Sequence, residues 1–253
     1  MDEQGSISSR ARFIQQLGQA RYGREGGPVG ELNLLAYAGL PVPEGVVLTD
    51  EFHREFIKIS GLLRSIQAAA DGHEDVHRCA LEMQLRYGST PIEGELNRLI
   101  CEALIELGAA AVTVVSENLT KSDLESIPEV RGAIRDAWLS LEGLERQIEA
   151  VARGEDLPSW PVLIQRELCP EYTGWSATEN LAEERLRVGR SVKREVVLYD
   201  IRPAGEAESA ESNNMVRLTL EAERLLGEGV RLRWALKGGR WYILSTDLRS
   251  SLR

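Results

Sequence analysis

The stretch Val230–Thr246, VRLRWALKGGRWYILST, decides the fold of the C-terminal part of the chain. Leu232, Trp234 and Leu236 alternate with Arg233, Ala235 and Lys237, the period of a strand with one face buried. Gly238-Gly239 follows, and Trp241-Tyr242-Ile243-Leu244 runs back. Two β-rich runs around a Gly-Gly pair predict a β-hairpin. Four large apolar residues in a row predict a return strand buried on both faces, with Trp234 and Leu244 in the core.

Working back from the hairpin, Met215–Leu226 reads as a helix. Ala204–Ser212 is an acidic, small-residue loop and the best candidate for disorder. Pro161–Leu168, Thr173–Thr178 and Val192–Ile201 read as strands, and Ala110–Ser116 as a buried strand. Val130–Arg153 reads as one long amphipathic helix, with Ile134, Trp138, Leu141, Leu144 and Ile148 at helical spacing. Helical regions are expected over Gly61–Tyr87 and Ile92–Leu107. Nearer the start, Ser9–Tyr22 reads as a short helix, residues 23–30 as a glycine-rich loop and Glu31–Ala38 as a helix closed by Gly39. A rigid Leu40–Gly45 turn leads into strand Val46–Leu48. Thr49 or Asp50 then caps a helix with Phe52, Phe56 and Ile57 on one face.

The chain has 253 residues, 43% apolar and 28% charged, which suits one large domain or two lobes of a soluble protein. A net charge of −10 argues against nucleic-acid or anionic-membrane partners, whose phosphates would be repelled. Cys79, Cys101 and Cys169 are too few and scattered for a disulfide framework or a cysteine zinc site, which fits a reducing cytoplasm. The first residues carry no apolar signal segment, and no run approaches the ~18 apolar residues of a membrane span.

Four pieces carry a family resemblance: Gly26–Thr49 (GGPVGELNLLAYAGLPVPEGVVLT), Val112–Ser116 with Ile134–Leu141, Val162–Asn180 (VLIQRELCPEYTGWSATEN) and Arg231–Arg249 (RLRWALKGGRWYILSTDLR). In this order they resemble the N-terminal nucleotide-binding domain of phosphoenolpyruvate synthase and pyruvate phosphate dikinase. The resemblance implies an α+β, ATP-grasp-like fold with ATP in a cleft between two lobes. The lobes are expected at residues 1–160 and 161–253.

The resemblance also exposes departures. Where the family has Gly-Gly-Lys, with lysine on phosphate, this chain has Gly26-Gly27-Pro28. Where it has Val-Arg-Ser-Ser, with arginine on phosphate, Val115 stands in place of arginine, followed by Ser116 and Glu117. The family's loop over the phosphates is cut to a few residues around Asn118–Asp123. The Ile-Glu-Trp glutamate that holds magnesium is replaced by Arg233, and the arginine of the usual ending, Leu-Gln-Ser-Arg-Pro, by Asp247. Phosphoryl transfer depends on positioned cations and metal, and losing one such group costs ~3–4 kcal/mol of barrier.

The expectation is therefore a pseudoenzyme: no catalytic residues, no metal, and no ATP or magnesium requirement. Gln165, Arg166, Glu167 and Leu168 would mark a vestigial adenine site, with Gly26 and Gly27 at the phosphate loop; the bland reading of Gln165 is a hinge-strand residue facing out while Ile164 faces in. Relatives continue into phosphohistidine and phosphoenolpyruvate-binding domains that have no counterpart here, and no histidine sits in a phosphohistidine context. The alternative is an ATP-binding phosphotransferase subunit working in trans with such domains.

Two further motifs need weighing. His73-Glu74-Asp75-Val76-His77 fits H-E-x-x-H, the helical zinc pair. Its polar surroundings and the lack of a third ligand favour a solvated helix start instead. Glu184–Arg194 is a basic run in an acidic protein. It reads either as a charge-protected strand edge or as a docking patch in which Arg187, Arg190 and Arg194 meet a protein partner, a competent homologue or a second copy.

Overall fold

A computed structural model of the chain describes residues 10–20, 27–72, 75–158, 160–179, 195–203, 212–227 and 229–248. The first half runs β1 (Ile14–Gln16), α1 (Gly27–Tyr37), β2 (Gly45–Leu48), α2 (Asp50–Ile59), α3 (Leu62–Asp71), α4 (Val76–Ser89) and α5 (Gly94–Leu107). Next come β3 (Val112–Val115), β4 (Thr120–Leu124), α6 (Ile127–Trp138), α7 (Leu141–Ala152) and β5 (Val162–Arg166). The last part is β6 (Tyr172–Glu179), β7 (Glu195–Pro203), α8 (Ser212–Leu226), β8 (Val230–Lys237) and β9 (Arg240–Leu248). The fold is α+β, as expected, with two antiparallel sheets ordered β1-β2-β5-β3-β4 and β7-β6-β8-β9.

The chain divides into two compact units: Met1–Gln16 with Glu44–Glu167, and Leu17–Pro43 with Leu168–Arg253. This differs from the division at 160/161 expected from sequence, because residues 17–43 fold with the C-terminal part. Local contacts explain the assignment. The Ile243 N–H donates to the Pro41 carbonyl at 2.8 Å, and the Thr246 hydroxyl donates to the Glu31 carboxylate.

In the first unit, helices cover one face of the five-stranded sheet. Val46, Leu48, Val112, Val114, Val162 and Ile164 meet Phe52, Phe56, Ile57, Tyr87, Ile134 and Trp138 in one apolar core. Thr49 starts α2 as expected: its hydroxyl accepts the Phe52 N–H at 3.3 Å and donates to the Arg12 carbonyl at 2.6 Å. Three sequence expectations fail here. Ile14–Gln16, expected inside a helix, pairs with β2 instead, Ile14 opposite Leu48; tertiary pairing overrides weak local periodicity. The expected long helix over Val130–Arg153 is two helices. Ser140 caps the second by accepting the Gly143 N–H at 3.1 Å, a hydroxyl that competes with helix continuation. Residues 118–123, expected as a shortened loop, mostly form β4, which pairs back on β3 through a turn where Ser116 N–H donates to the Leu119 carbonyl.

In the second unit, α8 packs on β6 and β8, and Thr219 donates from α8 to the Ser176 hydroxyl at 2.8 Å. The hairpin is β8–β9, as expected, with Gly238 and Gly239 at φ +56° and +71°. Trp234 is buried at 1% exposure. Gly174 lies opposite it on β6, and a Cβ there would come within 2.5 Å of the Trp234 ring, so only glycine leaves room for the indole. Leu244, expected in the core, is half-buried, as are Trp241 and Tyr242. β9 is an edge strand, and a bulge between Arg233 and Trp234 shifts its register, so its apolar run is covered only in part.

Candidate functional site

The resemblance directs attention first to Val115. It is 2% exposed, and in register across the sheet it sits beside Leu163, which sits beside Val47; both of those are fully buried. This row lies on the sheet face opposite the helix-covered core, since Val46, Ile164 and Val114 alternate with it. At the position that the resemblance assigns to an arginine, this chain therefore has the end of a buried apolar strip.

At the end of β5 the groups assigned to a vestigial adenine site have internal partners. Gln165 lies between Gly45 and Thr113 in register and alternates with Ile164 as expected, but at 2% exposure it is buried on that opposite face instead of open to solvent. The Arg166 N–H donates to the Glu44 carbonyl at 2.8 Å, and the Glu167 N–H to the Ala111 carbonyl at 3.0 Å. The Arg166 guanidinium donates to the Leu107 carbonyl and pairs with the Glu44 carboxylate at 2.9 Å. The Glu167 carboxylate accepts the Thr113 hydroxyl. Leu168, half-buried, begins the second unit. Gly27 opens α1 at φ +59°, with half-buried Pro28 after it; Gly26 lies outside the described residues.

In the second unit, Arg233 is exposed on the β-sheet face away from α8. In register it lies between Trp175 on β6 and Ser245 on β9. Arg231 lies two residues earlier on the same face, stacked 4.5 Å over the Trp175 ring, and its register partner on β9 is Asp247. The position that the resemblance assigns to a magnesium carboxylate thus belongs to a face with two guanidiniums. Arg187, Arg190 and Arg194 lie outside the described residues.

Helix α4 begins at Val76 with Asp75 as its cap, so the H-E-x-x-H spacing does not lie within one helix; His73 and Glu74 lie outside the described residues. His77 Nδ1 lies 2.7 Å from the Glu145 carboxylate. Among the described residues no group of three or more His, Cys, Asp or Glu side chains could hold a metal ion. His53 is fully buried, stacked on Trp138 with ring centroids 4.4 Å apart. Burial pushes its pKa down to about 3, with nearby Arg54 adding to the effect, so the ring stays neutral. Its Nδ1 accepts the Trp160 N–H at 3.4 Å, and Nε2 is buried without a partner. No helix of the described residues is long and apolar enough to cross a membrane.

One concavity escaped the sequence reading, a groove of about 440 Å³ within the second unit. It is bounded by the Gly39–Pro41 turn, one face of α8 and the start of β9. The usable signal was the spacing of Asn214, Arg217, Leu218 and Glu221, which share one helical face.

No protein-family model matches the chain. It is similar to the phosphoenolpyruvate synthase of Aeropyrum pernix, 28% identical over 135 residues, which is 50% of this chain and only 16% of that protein's length. Among solved structures it is similar to a D-alanine–D-alanine ligase from Bacillus anthracis complexed with ATP (13% identity, 97% of this chain and 61% of that one, TM-score 0.42). Another is the D-alanine–D-alanine ligase of Coxiella burnetii (10% identity, 98% and 68% covered, TM-score 0.38). A third is the ATP-grasp ligase PsnB with a precursor peptide and AMPPNP (13% identity, 88% and 50% covered, TM-score 0.38). The four sequence motifs and the curated relative thus agree on one resemblance, to phosphoenolpyruvate synthase.

Proposed function

We propose that this chain is an ATP-grasp-like domain of phosphoenolpyruvate synthase type that no longer transfers phosphate and acts as a binding, regulatory or structural subunit. The observation that carries the reading is the buried Val47–Leu163–Val115 row. A phosphate-binding arginine must reach a polyanion, whereas a buried valine at the end of an aliphatic row, beside Leu163, offers neither charge nor donor. The exposed Arg233, at the position of the magnesium carboxylate, supports the same reading because a cation repels the metal. The internal bonds of Arg166 and Glu167 support it further, since their backbone donors are already engaged.

The test is thermal unfolding of the whole chain with and without Mg-ATP. A ligand at 100 times its Kd stabilises a fold by ~2.7 kcal/mol. The expected result is no shift at millimolar nucleotide. A rise in Tm with Mg-ATP that magnesium alone does not give would overturn the proposal and favour an ATP-binding subunit working in trans.

The work of such a domain would be protein contact, with a competent homologue or a second copy as partner. Arg187, Arg190 and Arg194 are the proposed contacts, as a cluster of cations in a chain of net charge −10. Replacing all three with Ser should slow association at low salt and matter less at high salt. Unchanged association at low salt would move the interface elsewhere.

A further inference from the structure

The groove in the second unit has features that the phosphoenolpyruvate synthase resemblance does not assign. Helix α8 contributes Asn214, Arg217 and Glu221, and β9 contributes Arg240 and Trp241. Pro41 supplies part of an apolar wall. Its volume of about 440 Å³ lies in the range of small-molecule sites.

Arg217 and Arg240 reach the groove from different elements, and among the described residues neither makes an ion pair. Two cations on one concavity of an acidic protein form a local positive field that draws an anion. Guanidinium forks match the planar oxygens of a carboxylate or the oxygens of a phosphate. The Trp241 ring and Pro41 are suited to a planar or apolar body, which gains by leaving water. Glu221, one turn beyond Arg217, limits the negative charge the groove tolerates and disfavours a polyphosphate.

We propose that this groove binds a small molecule carrying one carboxylate or phosphate group on a planar or apolar body. The site lies wholly within the second unit and does not rest on the fate of ATP chemistry.

The experiment titrates the whole chain with phenyl phosphate, benzoate and inorganic phosphate, following the Trp241 indole N–H by NMR after assignment with Trp241→Phe. At least one organic probe should shift that signal saturably, and the tighter of the two identifies phosphate or carboxylate as the preferred anion. Inorganic phosphate should bind at least about tenfold more weakly, because it has no body to place on the ring. Arg217→Gln and Arg240→Gln should each weaken binding by about tenfold or more, with no change in Tm of the free protein. The proposal fails if neither organic probe gives a saturable shift up to about 10 mM, where even millimolar affinity would show. It also fails if the double variant binds as well as the native chain, or if inorganic phosphate binds as tightly as phenyl phosphate.

Discussion

The two sheets differ in what they do with the positions that the resemblance assigns to charged groups. On the first, the position that the resemblance assigns to a phosphate-binding arginine is Val115, the end of a buried aliphatic row. On the second, one face packs on α8, while the other exposes Arg233 at the position that the resemblance assigns to a carboxylate. The first position is core; the second is a polar surface. Burial sets the tolerance to reversal: a charge returned to the first sheet must be desolvated, whereas one changed on the second stays in water.

Four measurements can break or sharpen that contrast. The largest effect is expected from restoring the family's arginine. Val115→Arg should lose about 3–5 kcal/mol in urea unfolding, since it places an uncompensated cation at a buried position beside Leu163. A neutral Val115→Arg would show that the strip is open and would return the phosphate site to consideration. Trp234→Ala should cost a similar ~3–5 kcal/mol, which would confirm that the second sheet is as firmly packed on its α8 side.

The third measurement is a pH series. His53 has a folded pKa of about 3 against an ordinary value of 6.5, so the unfolded chain takes up its proton first. Its contribution is fully present above pH 6.5 and falls by about 1.4 kcal/mol per pH unit as pH drops toward 3. Comparing His53→Gln with the native chain between pH 7 and 5 should show a shallower slope in the variant; parallel slopes would place the acid sensitivity elsewhere. The smallest effect belongs to Arg233→Glu. On an exposed face it should change stability by no more than about 0.5 kcal/mol. A larger loss would mean that this face is structural rather than free.

How much of this could be read from the sequence depended on whether the signal was local. The β8–β9 hairpin was legible because its alternation and Gly-Gly turn sit within one short run. The capping role of Thr49 was legible for the same reason. The break between α6 and α7 was hidden because Trp138, Leu141 and Leu144 keep helical spacing across it; only Ser140 marked it. Gln165 was misread because its burial depends on Gly45 and Thr113, distant in sequence and adjacent only through register. Val115 could be seen as a missing cation, but not as the end of an aliphatic row. The groove was invisible because three separated segments build it.

The division of the chain also bears on the order in which it can fold. Residues Leu17–Pro43 belong to the second unit, yet the ribosome makes them before almost all of the first. Helix α1, with Leu32 and Leu35 fully buried in the finished protein, must therefore wait with its apolar side unsatisfied while Glu44–Glu167 is synthesised. Its partner strand β9 is made only after the whole of Glu44–Glu167. The first unit can complete its sheet as soon as β5 is made, whereas the second cannot close until β9 is made. During that interval α1 is the segment most exposed to chaperones and to misassociation with other nascent chains.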